Sequence, residues 1–587
     1  MKMTHFRRMM LLVLSLSLIL FSAACQPTPT TTGSTNAATT TAAGTSNTTG
    51  TSAAATDVVT LTGFSMYGNN TVDEAGWYTK YLLENLGIKL EFMTATDATQ
   101  MMQSLMASGE LPDIVGFNSK TFSKNAAEAG LLLCLDDYQD KLPNLFGSNG
   151  QFQYGIDFYR ANVSDATHKL YAVPTSVGVM DLINYDPQLR WDIYQQIGSP
   201  KIATLEDYLP VLKAMVDAYP KTDDGLKTYG ISLFPSWDGR SMANATYVSV
   251  IYGVDSEYSC NLCETPVDGS GTPIEILDND SQYKRVLKFF FKANQMGILD
   301  PDSATQTWDI IVEKWGKGRI MFSPWNWSVG DFNVPTNTNV DNFKGYASVW
   351  PEDAKQGIYP DQYVGSTWDL ALSSSTKNVD AALRFFDFYY SFEGMDLVLN
   401  GPQGVIWDVD SQGMRYVTDA GWDILENKSG AMPDGGKLGA AVGIINAQTI
   451  SSYTKNPATS GQTMGYSLWE TSLTHNPTKL VINWRAANGG YANSLALAKA
   501  TNRVVKSTQA VKMVTPADDD MTAIMNQIGD VLKTASWQMV FAKDEAEFEA
   551  IWAKAQSDAD GLGMEKVMTW FLAAWQDALT NAKKYQP

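Results

Sequence analysis

Between residues 58 and 117 the apolar positions switch period four times. Val58-Val59-Thr60-Leu61-Thr62-Gly63-Phe64 reads as a strand, after which Trp77, Tyr78, Tyr81, Leu82 and Leu86 recur at helical spacing up to Gly87, a natural helix stop. Residues 88–92 alternate again, Met101, Met102, Leu105 and Met106 mark a second helix ended by Gly109, and residues 112–117 form a third strand-like run. The order β-α-β-α-β predicts a parallel sheet covered by helices, with ligands at the carboxyl ends of its strands. Further along, residues 170–174 read as a strand, and Thr204 followed by Asp207 caps a helix reaching to about Tyr219. Residues 380–391 are strongly helical. The chain from about Met521 is mostly helical and ends in Trp570, Phe571 and Trp575, which are read as core aromatics. No internal repeat is visible.

The region before Val58 obeys different rules. Residues 1–8 carry Lys2, Arg7 and Arg8, residues 9–21 are apolar, and Ser22-Ala23-Ala24-Cys25 places small residues before a thiol, the layout of a secretory leader too short to span a bilayer. This stretch resembles a bacterial lipoprotein signal, which implies cleavage after residue 24 and lipid on Cys25, although Ser22 stands where that family usually has Leu. The alternative is an ordinary leader with a chance cysteine. Residues 26–55 contain no charged, aromatic or large aliphatic side chain, so no core can form there. They are expected to be a disordered tether holding the body on the order of 30 Å from the membrane.

Composition narrows the function. The 587 residues are 44% apolar and 18% charged, a globular mix large enough for two lobes, with no second segment of spanning length. The formal net charge of −20 opposes phosphate backbones and anionic membrane surfaces alike. Nucleic-acid binding is excluded on this ground, and membrane attachment is left to the lipid.

Cys134 lies in an apolar run and is read as a buried small hydrophobe. Cys260 and Cys263 form a C-x-x-C with no further zinc ligands at matching spacing, and an exported location favours a local disulfide over a redox centre. Beyond the leader the histidines are His168 and His475, and the chain has no G-x-S-x-G turn, P-loop or G-x-G-x-x-G cradle.

Four blocks in order carry a family resemblance: residues 105–115 (Leu-Met-Ala-Ser-Gly-Glu-Leu-Pro-Asp-Ile-Val), 170–174, 316–327 (ending Pro324-Trp325-Asn326-Trp327), and 373–386 followed by 391–394 and 401–404. Together they resemble extracellular solute-binding lipoproteins of carbohydrate ABC importers, similar to oligosaccharide- and maltodextrin-binding proteins, over about residues 58–425. The resemblance implies an α/β, periplasmic-binding-protein-like fold of two hinge-connected lobes. Its parts would be a signal peptide (1–24), lipidated Cys25 and linker (25–57), lobe 1 (58–183), lobe 2 (184–352), a lobe 1 return (353–415), and a second lobe 2 part (416–587). It implies a monomer that clamps a sugar, preferably an oligosaccharide, and presents it to permease subunits on the outer face of the membrane. Relatives often carry a calcium loop before a strand placed here at 229–233. With the loop glycine on Gly225, Pro220 and Ile231 fall where ligands belong, so no cofactor is expected.

A sugar offers apolar C–H faces and hydroxyl rims, so its site needs aromatic platforms with planar polar groups beside them. Candidates just past strand ends are Tyr67 with Met66, Asn118, Ser176, Trp237 with Asp238, Trp325 with Trp327, and Trp368 with Asp369. Trp325 and Trp327 weigh most, because their block resembles the family's aromatic site, whereas Trp237 and Trp368 read equally well as lobe-packing aromatics. Rival readings are a lipid-anchored glycosidase, whose paired carboxylates a sequence cannot reveal, a binder of a non-sugar solute, and a surface adhesin.

Overall fold

A computed structural model describes residues 58–67, 72, 76–147, 150–183, 185–257, 259–426, 430–438, 448–459 and 461–587. The leader, Cys25 and the tether lie outside the described residues.

The opening unit forms as its periodicity requires: β1 (Val59–Ser65), α1 (Trp77–Leu86), β2 (Ile88–Met93), α2 (Ala98–Ser108) and β3 (Ile114–Phe117), followed by α3 (Lys120–Glu128). Gly87 and Gly109 end the two helices at φ 65° and 73°, a left-handed conformation that costs other residues a Cβ clash. Asp97 opens α2 by accepting the Gln100 N–H at 2.9 Å. The sheet order is β2, β1, β3, Asp369–Leu372, then β4 (Ala172–Pro174). β1 runs parallel to both β2 and β3, as expected. The strand Asp369–Leu372 is antiparallel to β3 and β4. The sheet is therefore mixed, because that strand is supplied late by a returning chain and not by a crossover helix.

Two large cores make this a two-lobed molecule. The first gathers Leu61, Phe64, Val115, Leu370, Phe386, Met464, Trp469 and Trp575, and the second gathers Leu189, Tyr208, Phe290, Ile528, Trp552 and Met564. The chain leaves the first core after Val177 and enters the second by Ile183. It returns between Ile358 and Val364, crosses again between Trp469 and Leu480, and comes back between Ala498 and Ala510. The final helix, Met564–Lys584, roots Met564 and Val567 in the second core and Phe571, Trp575 and Ala578 in the first. Residues 416–587 thus serve both cores. At the seam, Gln356–Ile358 pairs in parallel with Val504–Lys506.

Three local expectations change. Residues 229–233 make two isolated parallel bridges, Tyr229 to Ile320 and Ile231 to Leu299, in place of a continuous strand. Cys134 is half-buried. Cys260 and Cys263 are separate thiols with sulfurs 3.9 Å apart, not a disulfide.

Candidate functional site

Each lobe carries one aromatic platform, and the two are built differently. On the second lobe, Trp325 follows the short strand Phe322–Ser323, whose Ser323 Oγ accepts the Trp325 N–H at 3.1 Å. The turn drives the Trp325 ring inward among Phe234, Tyr247, Trp308 and Trp315, leaving it only 2% exposed. Expected to present its ring to a ligand, Trp325 is instead buried beneath the exposed rings around it. Two residues later Trp327 is 47% exposed with its ring 5.2 Å from that of Trp325. Trp237, 39% exposed, stacks on Trp308 at 4.2 Å and 25° and lies nearly coplanar in tilt with Trp327, 24° apart at 6.4 Å. The outward surface is thus made by Trp237 and Trp327.

Asp238 does not join it. Its carboxylate accepts the Ala243 N–H at 2.9 Å, at the start of the helix Ala243–Ser249, and the Trp537 indole N–H at 2.6 Å, while burial pushes its pKa up. It is a structural acceptor that fixes the loop carrying Trp237.

On the first lobe, Tyr67 and Trp368 stack at 4.5 Å and 30°. Trp368 is 39% exposed, and the Tyr67 hydroxyl donates to the Asp369 carbonyl at 2.9 Å. Trp368 stands just before the strand that Asp369 opens, and the two neighbouring side chains differ sharply in exposure. Its side chain is fully buried, with Oδ2 accepting from Ser123 Oγ at 2.8 Å and Tyr159 at 3.0 Å, and Oδ1 has no partner. Desolvation raises its pKa to about 7 against the pull of Ser123, Lys120 and Tyr159. Asp369 is therefore not the expected hydroxyl-binding rim group; it lies under the platform. Lys120 stands beside it, donating to the Ser366 carbonyl at 2.8 Å, its pKa lowered to about 8 by burial and held up by Asp369.

Asn118 is half-buried at the end of β3, one residue past the register pair of Phe117 and Asp369. Met66 is buried, its N–H bonded to the Gly116 carbonyl. Ser176 sits in left-handed backbone at φ 55° with its N–H on the Gln448 carbonyl at 2.5 Å.

A cavity of about 50 Å³ opens where the cores meet, lined by Tyr185, Asp255 and Glu257 of the second lobe, by Val511 and Lys512 of the first, and by Tyr359 and Ser507 beside the paired strands at the seam. Neighbours connect it to both walls. Tyr185 stacks with Tyr247 at 5.8 Å, and Tyr247 meets Trp237 and Trp325 at 6.3 and 5.2 Å. Lys512 lies over the Tyr359 ring at 5.1 Å, and its pKa falls to about 8 through burial and the nearby Lys120 charge. Burial raises the Glu257 pKa, with Lys512 opposing.

Flat indole faces next to hydroxyl, amide, ammonium and carboxylate groups suit a ligand with both apolar and hydrogen-bonding surfaces. Sequence reasoning missed Trp308, Tyr247, Lys120 and Lys512. Lys120 could have been found, since it follows β3 by three residues; Trp308 opens the helix Trp308–Gly316 and Lys512 lies far along the chain, and neither carries a local signal.

The family model described as bacterial extracellular solute-binding protein matches residues 68–396. A search of curated protein sequences finds no match. Among solved structures, the alginate-binding protein AlgQ2 shares 18% identity over 89% of this chain and 98% of its own, with a TM-score of 0.60. The ABC-transporter substrate-binding protein FusA of S. pneumoniae, solved with kestose, shares 14% over 89% and 100%, with a TM-score of 0.61. An HMO-binding, ABC-transporter-associated protein of Bifidobacterium longum infantis shares 17% over 88% and 98%, with a TM-score of 0.57. At these identities the likeness is one of fold: two lobes, as here.

Proposed function

The chain belongs to the bacterial extracellular solute-binding proteins, and from that premise we propose that it captures a sugar, an oligosaccharide in particular, between its lobes and hands it to an ABC importer. One observation carries the reading: each lobe exposes indole surface, Trp237 with Trp327 on one and Trp368 stacked on Tyr67 on the other, and contacts from Trp237 through Tyr247 to Tyr185 lead to a polar cavity where the cores meet. Stacking on apolar sugar faces from two sides gives the closed form contacts that the open form lacks, which is what shifts a hinge population. The lobes divide where the cores divide. Lobe 1 takes residues 58 to about 180, 360–475, 508–515 and the last turns of the final helix, and lobe 2 takes the rest. The names of the structural neighbours, which mention alginate, kestose and HMO, agree with a saccharide ligand.

In this reading the protein is a monomeric binder and not a hydrolase. Asp369 is buried under its platform and Asp238 is engaged by a backbone amide and an indole. Asn118 and Ser176 remain rim candidates, joined by Lys120 and Lys512. The apolar run ending in Ser22-Ala23-Ala24-Cys25 supports export and a lipid anchor on Cys25. Loss of fatty-acid labelling in a Cys25→Ser variant is the expected outcome for that anchor.

Calorimetry against a panel of glycans tests the function. The expected result is saturable binding without product release, abolished by Trp237→Ala with Trp327→Ala. Release of shortened sugar would instead identify an enzyme, and unchanged affinity in the double variant would remove the second-lobe platform from the site.

A further inference from the structure

The Cys260-Asn261-Leu262-Cys263 motif lies outside both aromatic platforms, yet its geometry is specific. Cys260 and Asn261 both hold left-handed backbone, φ 56° and 59°, making a tight turn into the strand Cys263–Pro266. The turn is fastened by the Asn261 N–H on the Ser256 carbonyl at 2.9 Å and by the Asn261 amide on the same oxygen at 3.2 Å. It brings the two sulfurs to 3.9 Å. A disulfide needs about 2.05 Å, a difference within reach of side-chain rotation when the backbone already turns back on itself.

The two thiols are not equivalent. Cys260 is half-buried, and the Arg240 guanidinium donates to its carbonyl at 3.2 Å. The hydrogen bond from Cys263 and the Arg240 charge pull the Cys260 thiol pKa down against burial. Cys263 is fully buried with its sulfur 3.3 Å from Met568 Sδ, and burial pushes its thiol pKa well up. Among the described residues no group of three or more His, Cys, Asp or Glu side chains gathers around a metal-sized space. The position is also particular: Cys263 packs with the first core, Leu262 with the second, and Asp255 and Glu257, a few residues upstream, line the interlobe cavity.

We propose that Cys260 and Cys263 are a thiol–disulfide exchange pair, Cys260 attacking and Cys263 resolving, whose oxidation ties down the turn that carries Asp255 and Glu257 on the cavity wall. The oxidant is a small disulfide of the oxidised-glutathione class. The Cys260 thiolate, its proton lost to solvent, attacks one sulfur of that disulfide, breaking its S–S bond and releasing one thiolate. Cys263 then loses its proton, attacks Cys260 Sγ in the mixed disulfide, and expels the second thiolate. Two electrons have moved from the protein to the oxidant, the S–S bond has moved from the oxidant to the protein, and the oxidant leaves as two thiols. An extracellular family places the pair in surroundings where such bonds persist.

The test uses the whole chain incubated with oxidised glutathione, quenched by an alkylating reagent and mapped by peptide mass. The peptide holding both cysteines should lose about 2 Da, two hydrogens, and take up no reagent, while Cys134 is still alkylated. Amide exchange at Glu257, Ser259 and Asn261 should slow in the oxidised form. A Cys263→Ser variant should accumulate glutathione on Cys260, and Cys260→Ser should leave Cys263 reacting at least tenfold more slowly. Alkylation of both thiols after oxidation, faster reaction at Cys263, or unchanged exchange at the three amides would overturn the proposal. The wild-type mapping decides it even where a variant fails to fold.

Discussion

The two aromatic platforms reach the same kind of surface by opposite means. On the second lobe the exposed rings of Trp237 and Trp327 rest on other rings, Trp308 and the buried Trp325, so the surface is the outer layer of an apolar cluster. On the first lobe the Tyr67 and Trp368 pair rests on a polar sheet end, where a buried carboxyl, a lysine and three hydroxyl groups hold one another. Packing fixes the second-lobe surface and hydrogen bonding the first-lobe surface. They should therefore fail differently, one through lost volume and the other through protonation.

The largest effect is expected at Trp325. Trp325→Ala removes the ring under the second platform and should cost about 3–5 kcal/mol of stability, as large core truncations do, read as a lower urea midpoint together with lost ligand binding. Trp327→Ala, nearly half exposed, should leave the midpoint within about 0.5–1 kcal/mol of wild type. Equal destabilisation by both would erase the distinction between support and surface.

Next comes the pH response of the first platform. The Asp369 pKa is raised from its ordinary 3.8 to about 7, so the folded protein binds this proton more tightly than the unfolded chain does. Between about pH 4 and 7 this group makes stability fall as pH rises, and the loss is complete above the folded value. Asp369→Asn should flatten that part of the curve. Urea midpoints for both proteins from pH 4 to 8 measure it, and parallel curves would show that the carboxyl does not titrate as placed.

Affinity effects are smaller. Trp237→Ala or Trp327→Ala should each weaken a sugar by about 2 kcal/mol, roughly 30-fold, the loss typical of removing a hot-spot aromatic contact. Tyr67→Phe removes one hydrogen bond, to the Asp369 carbonyl, and should cost only about 1 kcal/mol of stability. An effect at Tyr67 as large as at Trp327 would mean that its hydroxyl touches ligand directly.

Much of this architecture was legible before any coordinates, because local periodicity decides local elements. β1, α1, β2, α2 and β3 follow from alternation, helical spacing and the two stop glycines. The site was legible only as neighbourhoods. The sequence presents Trp325 and Trp327 as a matched pair, but which ring goes inside depends on Phe234, Trp308 and Trp315, partners contributed by other segments. Trp368 and Asp369 are neighbours in sequence, yet the strand opens between them, leaving the indole exposed and the carboxyl buried in the sheet's packing. Lys512 enters from a short helical turn, Gln509–Lys512, that no local pattern ties to the cavity. Likewise residues 416–587 read as one block because nothing in their helical periodicity records which of two cores each helix joins.

The most direct measurement takes one indole from each lobe. Once the glycan panel has yielded a ligand, calorimetric titration of Trp327→Ala, Trp368→Ala and the double variant asks whether both lobes hold the same sugar. Each single variant should bind at least roughly tenfold more weakly, and the double variant should bind no measurable sugar. Wild-type affinity in either single variant would mean that one lobe alone holds the ligand, contrary to capture between two.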